Sequence, residues 1–374
     1  MTTGTPVIDA DGHTLEPLDL LDRYLDKKYR DRVALGPDGR LVDGRPTAHH
    51  PPGTLESLRF TPELIAARFG DIAAEEFSAR AVVRALDVEG IDVSVLYGPL
   101  YDCWVEGMDP ELACAIARAY SRWLVDYSQE SGGRLLGAAP IPFHDVGLAL
   151  RELEYAAEEL GLRAFWTRPN PVGGRMLGDR HFDPIFDAIE SLGAPLSFHE
   201  GSGSKMHNIG TDRFENSTWL EQHACVHPME QQMLLASLIV QGVLERHPAL
   251  RVAFMESGAA WAPAWLHRLD EHAELVAWRD APWLTAKPSE YFARQCFISC
   301  DPDEALLYQV VDYLGPDNVI FATDFPHPDA MYPHAVRCFL DLPRVGPDVK
   351  RRILWDNPLR FYGLDGERLP RASG

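Results

Sequence analysis

Two carboxylates and two imidazoles occupy unusual places in this chain. Asp11 and His13 stand two residues apart in VIDADGH, His199 sits in LSFHE, and Asp324 sits in FATDF. Each arrives at the end of a short apolar run, where a charged group is costly to bury unless something pairs with it. Side chains two apart on a strand share a face, so Asp11 and His13 converge on one point. Oxygen and nitrogen donors gathered in this way suit a divalent ion with positions left for water and substrate. Such an ion lowers the pKa of its bound water from about 15.7 towards 7 and polarises a carbonyl. Taken singly, His199 reads as a hydrogen-bonded core histidine and Asp324 as the cap of the helix that follows. Together, at matched strand ends, they read as metal ligands.

The elements that would bring them together recur along the chain. Short β-branched runs alternate with longer segments of helical period: VIDAD (7–11), IDVSVLYG (91–98), LLGAAPIP (135–142), GLRAFWTRP (161–169), APLSFHE (194–200), LRVAFMES (250–257), QCFISCD (295–301) and NVIFATD (318–324). Asp109 with Pro110, and Asp145, mark helix starts as N-cap residues. Eight strands with intervening helices predict an α/β fold, a (β/α)8 TIM barrel, whose active site lies at the C-terminal ends of the strands. The strand starts are apolar, whereas the ends carry Asp11, His13, Tyr97, His144, Arg168, His199, Glu256, Asp301 and Asp324. Polarity is thus confined to one face of the barrel. Residues 15–73, with the loop-like TAHHPPGTLES, and residues 200–227 exceed ordinary connections and read as lid insertions after strands one and five. No linker or repeat divides residues 1–374, which read as a single barrel domain.

Charge narrows the partners. Of 374 residues, 35 are Lys or Arg and 56 are Asp or Glu, giving a net charge of −21 that opposes nucleic acid and anionic membrane surfaces. No apolar run reaches the roughly 18 residues of a membrane span. Six cysteines with no C-x-x-C pair, and no charged-then-apolar leader, point to a reduced cytoplasmic setting. The expected partner is a small-molecule substrate, and the apolar late helices make a homodimer plausible.

The opening IDADGH, the late FATDFPHPD and the closing ILWDNPLRFYGL, in this strand order, resemble the amidohydrolase superfamily. The branch is that of aminocarboxymuconate-semialdehyde decarboxylase and resorcylate decarboxylase, and the resemblance spans nearly the whole chain. It implies that the first-strand pair of metal ligands maps onto Asp11 and His13, the strand-five ligand onto His199 and the strand-eight aspartate onto Asp324, which also serves as proton shuttle. One departure stands out. Where the family places a histidine at the end of strand six, this chain reads FMESGAAW and offers Glu256. A carboxylate replaces an imidazole there only with a raised pKa, so Glu256 is expected to bind or bridge metal.

Strand four ends in Arg168 and provides no lysine for a carbamylated bridge. If two ions bind, Glu256 bridges them and His223 or His227, from EQHACVHPME, completes the second site; His227 alternatively caps a helix beginning at Pro228. The donor set suits one or two ions of iron, manganese or zinc. Arg168 either anchors a substrate carboxylate or pairs with an acid on the rim. Trp166 and Trp261, with Trp219, are candidates to line an apolar pocket. The expected reaction is hydrolysis of an ester, thioester (acyl-CoA included) or amide, with Asp324 as general base and then acid. Two alternatives stand beside it. One is non-oxidative decarboxylation of an aromatic or unsaturated acid, which requires His223 or His227 to fill the strand-six gap. The other is a barrel that only binds a small molecule.

Overall fold

The computed structural model describes residues 4–36, 39–48, 61–98, 102–201, 205–214, 217–327 and 329–372. Eight parallel strands follow one another around a nearly closed barrel in chain order. They are β1 (Ile8–His13), β2 (Val93–Tyr97), β3 (Leu135–Pro140), β4 (Ala164–Thr167), β5 (Pro195–His199), β6 (Arg251–Met255), β7 (Cys296–Cys300) and β8 (Val319–Phe321). The predicted TIM barrel is borne out, and the alternation of β-branched runs with helices is its cause: strands covered by helices outside and by packed side chains inside carry few polar residues.

The helices that matter for the site are α1 (Ala79–Glu89), α2 (Pro110–Gln129), α3 (Val146–Glu154), α4 (Asp183–Ser191), α5 (Trp219–Val240), α6 (Ala262–Asp280), α7 (Leu307–Leu314) and α8 (Asn357–Tyr362). Asp109 and Asp145 cap α2 and α3 by accepting from the amides of Glu111 and Leu148. Among the described residues no helix is long and apolar enough to cross a membrane.

A carboxylate closes the seam between β1 and β8. Asp9, fully buried, accepts from Ser94 Oγ at 2.8 Å on β2 and from the amide and hydroxyl of Thr323, both at 2.9 Å, just past β8. Backbone bonds extend the seam from the Asp324 amide to the Asp11 carbonyl (2.9 Å) and from the His13 amide to the Phe325 carbonyl (2.7 Å). The β1–β2 register shifts between Asp9 and Gly12, an irregularity of the kind that re-aims side chains beside active sites. Gly12 is required there, since a Cβ would stand 2.3 Å from Ser94 Oγ.

Between β1 and α1 lie a helix at Leu20–Tyr24, a three-stranded antiparallel sheet (Val33–Gly36, Gly39–Val42 and Arg45–Pro46) and helices at Pro62–Phe69 and Asp71–Ala74. From residue 49 on, the TAHHPPGTLES loop lies outside the described residues. After β5, α5 begins at Trp219 with a capping box formed by Thr218 and Glu221, and it continues through Pro228. The alternative of His227 as a cap before Pro228 is therefore corrected. The buried face of Val226, Leu234, Leu235, Leu238 and Ile239 holds the helix together across the one amide that proline lacks.

Candidate active site

The C-terminal ends of β1, β5, β6 and the β8 segment bring Asp11, His13, His199, Glu256 and Asp324 to one place. His13 Nε2 lies 3.4 Å from Asp11 Oδ1 and 3.0 Å from Asp324 Oδ1. His199 Nε2 lies 3.3 Å from Asp11 Oδ1 and 3.2 Å from Glu256 Oε2. Both carboxylate oxygens of Asp11 and Nε2 of His13 and of His199 are buried without a hydrogen-bond partner. Converging buried lone pairs with nothing donating to them are expensive. Separations of 3.0–3.4 Å match the spacing between neighbouring ligands of one ion held at roughly 2.1 Å. The donor set and its geometry fit a divalent transition metal.

The surrounding groups hold these donors in orientation. His199 Nδ1 donates to the Glu200 carbonyl at 2.8 Å, which fixes its tautomer and turns the Nε2 lone pair into the cluster. Gln231, on α5, donates to the carbonyls of Phe198 (2.7 Å) and Met255 (3.2 Å) and so ties the ends of β5 and β6 together. Glu256 and Asp324 both take left-handed backbone angles, φ 48° and 55°, uncommon for non-glycine residues and concentrated at functional sites.

Helix α5 supplies the histidines. His223 and His227 are one helical turn apart and share a face. His227 Nδ1 donates to the Glu256 carbonyl at 2.8 Å and stands 3.6 Å from Glu256 Oε1. Donor atoms of His223, His227 and Glu256 lie within 4.8 Å of one another. An imidazole from α5 thus reaches the end of β6, where the sequence supplies a glutamate. His223 also stacks on Trp219, centroids 4.2 Å apart.

Electrostatics follow burial and crowding. Burial, reinforced by Asp324 and Asp11, pushes the Glu256 carboxyl well above the usual range. Burial and the charge of His327 drive His13 down to about 4. For Asp324, burial is outweighed by the neighbouring imidazoles of His327 and His13, which hold it well below the ordinary value.

His327 escaped the sequence reading. Its Nδ1 lies 2.7 Å from Asp324 Oδ1, and its ring stacks on His13 at 4.0 Å. Burial would lower its pKa, but Asp324 lifts it to about 9. The signal was present in TDFPHPD as a histidine three residues past Asp324. Glu200 and Asn170 were missed too: Asn170 Nδ2 donates to Glu200 Oε2 at 2.5 Å, and both are fully buried.

Arg168 is buried, donates to the His199 carbonyl at 3.2 Å and lies 3.7 Å from Glu200 Oε1. Its partner is therefore an acid, placed inside the barrel and not on the rim. Trp166 packs edge-on against His199 at 5.7 Å, and its buried indole N–H lacks a partner. Trp261 is not brought to the cluster. Its ring meets Phe254, which stacks on Phe292 from the helix before β7, so it belongs to the outer layer.

Comparison with known proteins bears out the family resemblance. A model of the amidohydrolase family matches residues 97–364. The chain is 27% identical over 286 residues to 2-amino-3-carboxymuconate-6-semialdehyde decarboxylase of Dictyostelium discoideum, covering 76% of each chain. It is 23% identical over 296 residues to gamma-resorcylate decarboxylase of Polaromonas sp. (strain JS666), covering 76% of this chain and 86% of that one. The crystal structure of 5-carboxyvanillate decarboxylase from Novosphingobium aromaticivorans, complexed with manganese and 4-hydroxy-3-methoxy-5-nitrobenzoic acid, superposes with a TM-score of 0.69 at 20% identity, covering 96% of this chain and 97% of that one.

These relatives overturn the expectation of hydrolysis, since both matched sequences are non-oxidative decarboxylases. The expectation leaned on the missing strand-six histidine, and the geometry removes that ground by bringing His227 of α5 against Glu256. Matched over most of its length, the chain belongs to the amidohydrolase family and is one of that superfamily's enzymes.

Proposed function

We propose that this protein is a metal-dependent non-oxidative decarboxylase of an aromatic or unsaturated carboxylic acid. The observation that carries the reading is the place of His227: it lies against the end of β6, within 3.6 Å of Glu256, and so offers an imidazole where the sequence alone lacks one. The two decarboxylase relatives support it.

In this reading Asp11, His13, His199 and Asp324 hold one divalent ion, of the manganese, iron or zinc class. A bound ion supplies Lewis acidity that fixes a substrate carboxylate and a neighbouring oxygen. Glu256 stands between that cage and the His223–His227 pair, the place for a second ion. The chain's own residues do the rest. Loss of CO2 leaves an electron pair on carbon that must receive a proton. The Asp324–His327 pair, 2.7 Å apart at the barrel mouth, delivers it. His227, its Nδ1 held by the Glu256 carbonyl and its pKa lowered by burial, orients the substrate from the β6 side as a neutral imidazole. Trp166 offers its indole N–H to the substrate, and the Arg168–Glu200 pair keeps His199 in register.

The chain acts as one barrel domain, and the insertions after β1 and β5 wall its mouth. Arg68, in the first insertion, donates to the carbonyls of His327 and Ala330, which binds that wall to the proton-carrying loop.

Product analysis tests the assignment. With manganese-loaded protein and 2,6-dihydroxybenzoate, 5-carboxyvanillate and related acids in D2O, the expected result is CO2 release with deuterium at the vacated carbon. Incorporation of solvent oxygen into a carboxylate without CO2 would refute it.

A further inference from the structure

At the other end of the barrel, before the strands begin, a second group of ligand atoms has gathered. Helix α4 carries Asp183, Asp187 and Glu190, spaced by four and three residues and therefore on one face. Facing them is His247, in the turn that leads into β6, with only 3% of its surface exposed. Its Nδ1 lies 3.2 Å from Asp187 Oδ1 and 3.7 Å from Glu190 Oε2. Its Nε2 lies 3.7 Å from Asp183 Oδ1. Neither ring nitrogen has a hydrogen-bond partner, although the ring is buried.

A plain ion-pair cluster accounts poorly for this arrangement. Three carboxylates surround the imidazole, and the nearby cation, Arg246, engages Asp183 at 2.5 Å. Asp187 and Glu190 are left facing a ring that makes a geometrically sound bond to neither. Glu190 is meanwhile held in place, because its Oε1 accepts from the Ala249 amide at 2.6 Å and its other oxygen turns towards His247. The His247 carbonyl is fixed by Gln295 at 2.8 Å.

We infer that Asp187, Glu190 and His247 Nδ1 form a binding site for a divalent transition ion of the zinc class, separate from the catalytic cage. The three donor atoms lie within 4.8 Å of one another, and the 3.2 and 3.7 Å separations bracket the roughly 3.4 Å edge of a tetrahedron with bonds of about 2.1 Å. Asp183, on the Nε2 side, takes the place of the carboxylate that orients a metal-bound histidine. Asp187 is 68% exposed, so the site opens to solvent on one side and leaves a position for water. An ion there ties α4, which precedes β5, to the turn that precedes β6, and clamps neighbouring units of the barrel wall. Its role is structural.

Equilibrium dialysis against zinc, followed by elemental analysis, tests the site without reference to catalysis. Wild-type protein is compared with Asp187→Asn/Glu190→Gln, which preserves shape at partly exposed positions, and with Asp187→Asn alone. Wild type is expected to hold one more zinc ion per chain than the double variant. Asp183→Asn should keep the ion with affinity weakened about tenfold, the effect of losing an orienting partner. Zinc should raise the melting temperature of wild type more than that of the double variant. Equal zinc stoichiometry and affinity in wild type and the double variant would overturn the inference. Loss of zinc at the cage alone, as in His13→Ala, should leave the outer ion bound, so the failure of one site is distinguishable from that of the other.

Discussion

At the scale of single residues, the site is a set of buried donors whose positions make sense only around positive charge. Replacing Asp11 by Asn removes a ligand while keeping the shape. Metal content measured by elemental analysis should fall, and decarboxylation should drop about a thousandfold, the several kcal/mol that Lewis-acid stabilisation contributes. His327 gives a different signature. If it carries the proton paired with Asp324 at 2.7 Å, His327→Ala should lower kcat by about 10^2–10^4 with metal content unchanged, whereas a merely structural ring would move both together. Asp11, His13, His199, Glu256 and Asp324 were legible in the sequence because each ends an apolar run, and buried runs rarely end in charge without cause. His327 was not, because its approach to His13 depends on a turn at Asp324 with φ 55° that no periodicity encodes. His227 was obscured by Pro228, which reads as a helix start although α5 runs through it.

Among the elements, the seam between β1 and β8 and the tie between β5 and β6 decide whether the cage keeps its dimensions. Asp9→Ala removes the acceptor for Ser94 and for both Thr323 donors, leaving buried polar groups unpaired. Denaturant unfolding should show a loss of about 2–4 kcal/mol. Arg68→Ala should behave otherwise, with little change in unfolding but turnover reduced about tenfold or more, since the insertion would no longer hold the His327 carbonyl in place. The strands could be read from β-branched runs, with boundaries displaced by up to three residues, as in 161–169 against Ala164–Thr167 and 318–324 against Val319–Phe321. The contents of the first insertion could not be read. Its short antiparallel strands include Val33–Gly36, exposed or half-buried throughout, so burial imposes no alternating pattern on them.

The whole molecule is a barrel that keeps its apolar start and its polar end apart, and whose strand ends gather acids and imidazoles around one point. Its buried donors gather around one ion only when the barrel is folded, so exhaustive chelation should lower the melting temperature and manganese should restore it. The fold was legible because a regular βα rhythm has few closed solutions. The reaction was less so, because the imidazole at strand six comes from the helix that precedes the strand, 29 residues before Glu256, and not from the strand itself. Anomalous diffraction from a crystal grown with manganese tests the central claim most directly. A peak about 2.0–2.3 Å from Asp11, His13, His199 and Asp324 is the predicted result. An ordered cage with no peak, its side chains bonded only to water and to one another, would contradict it.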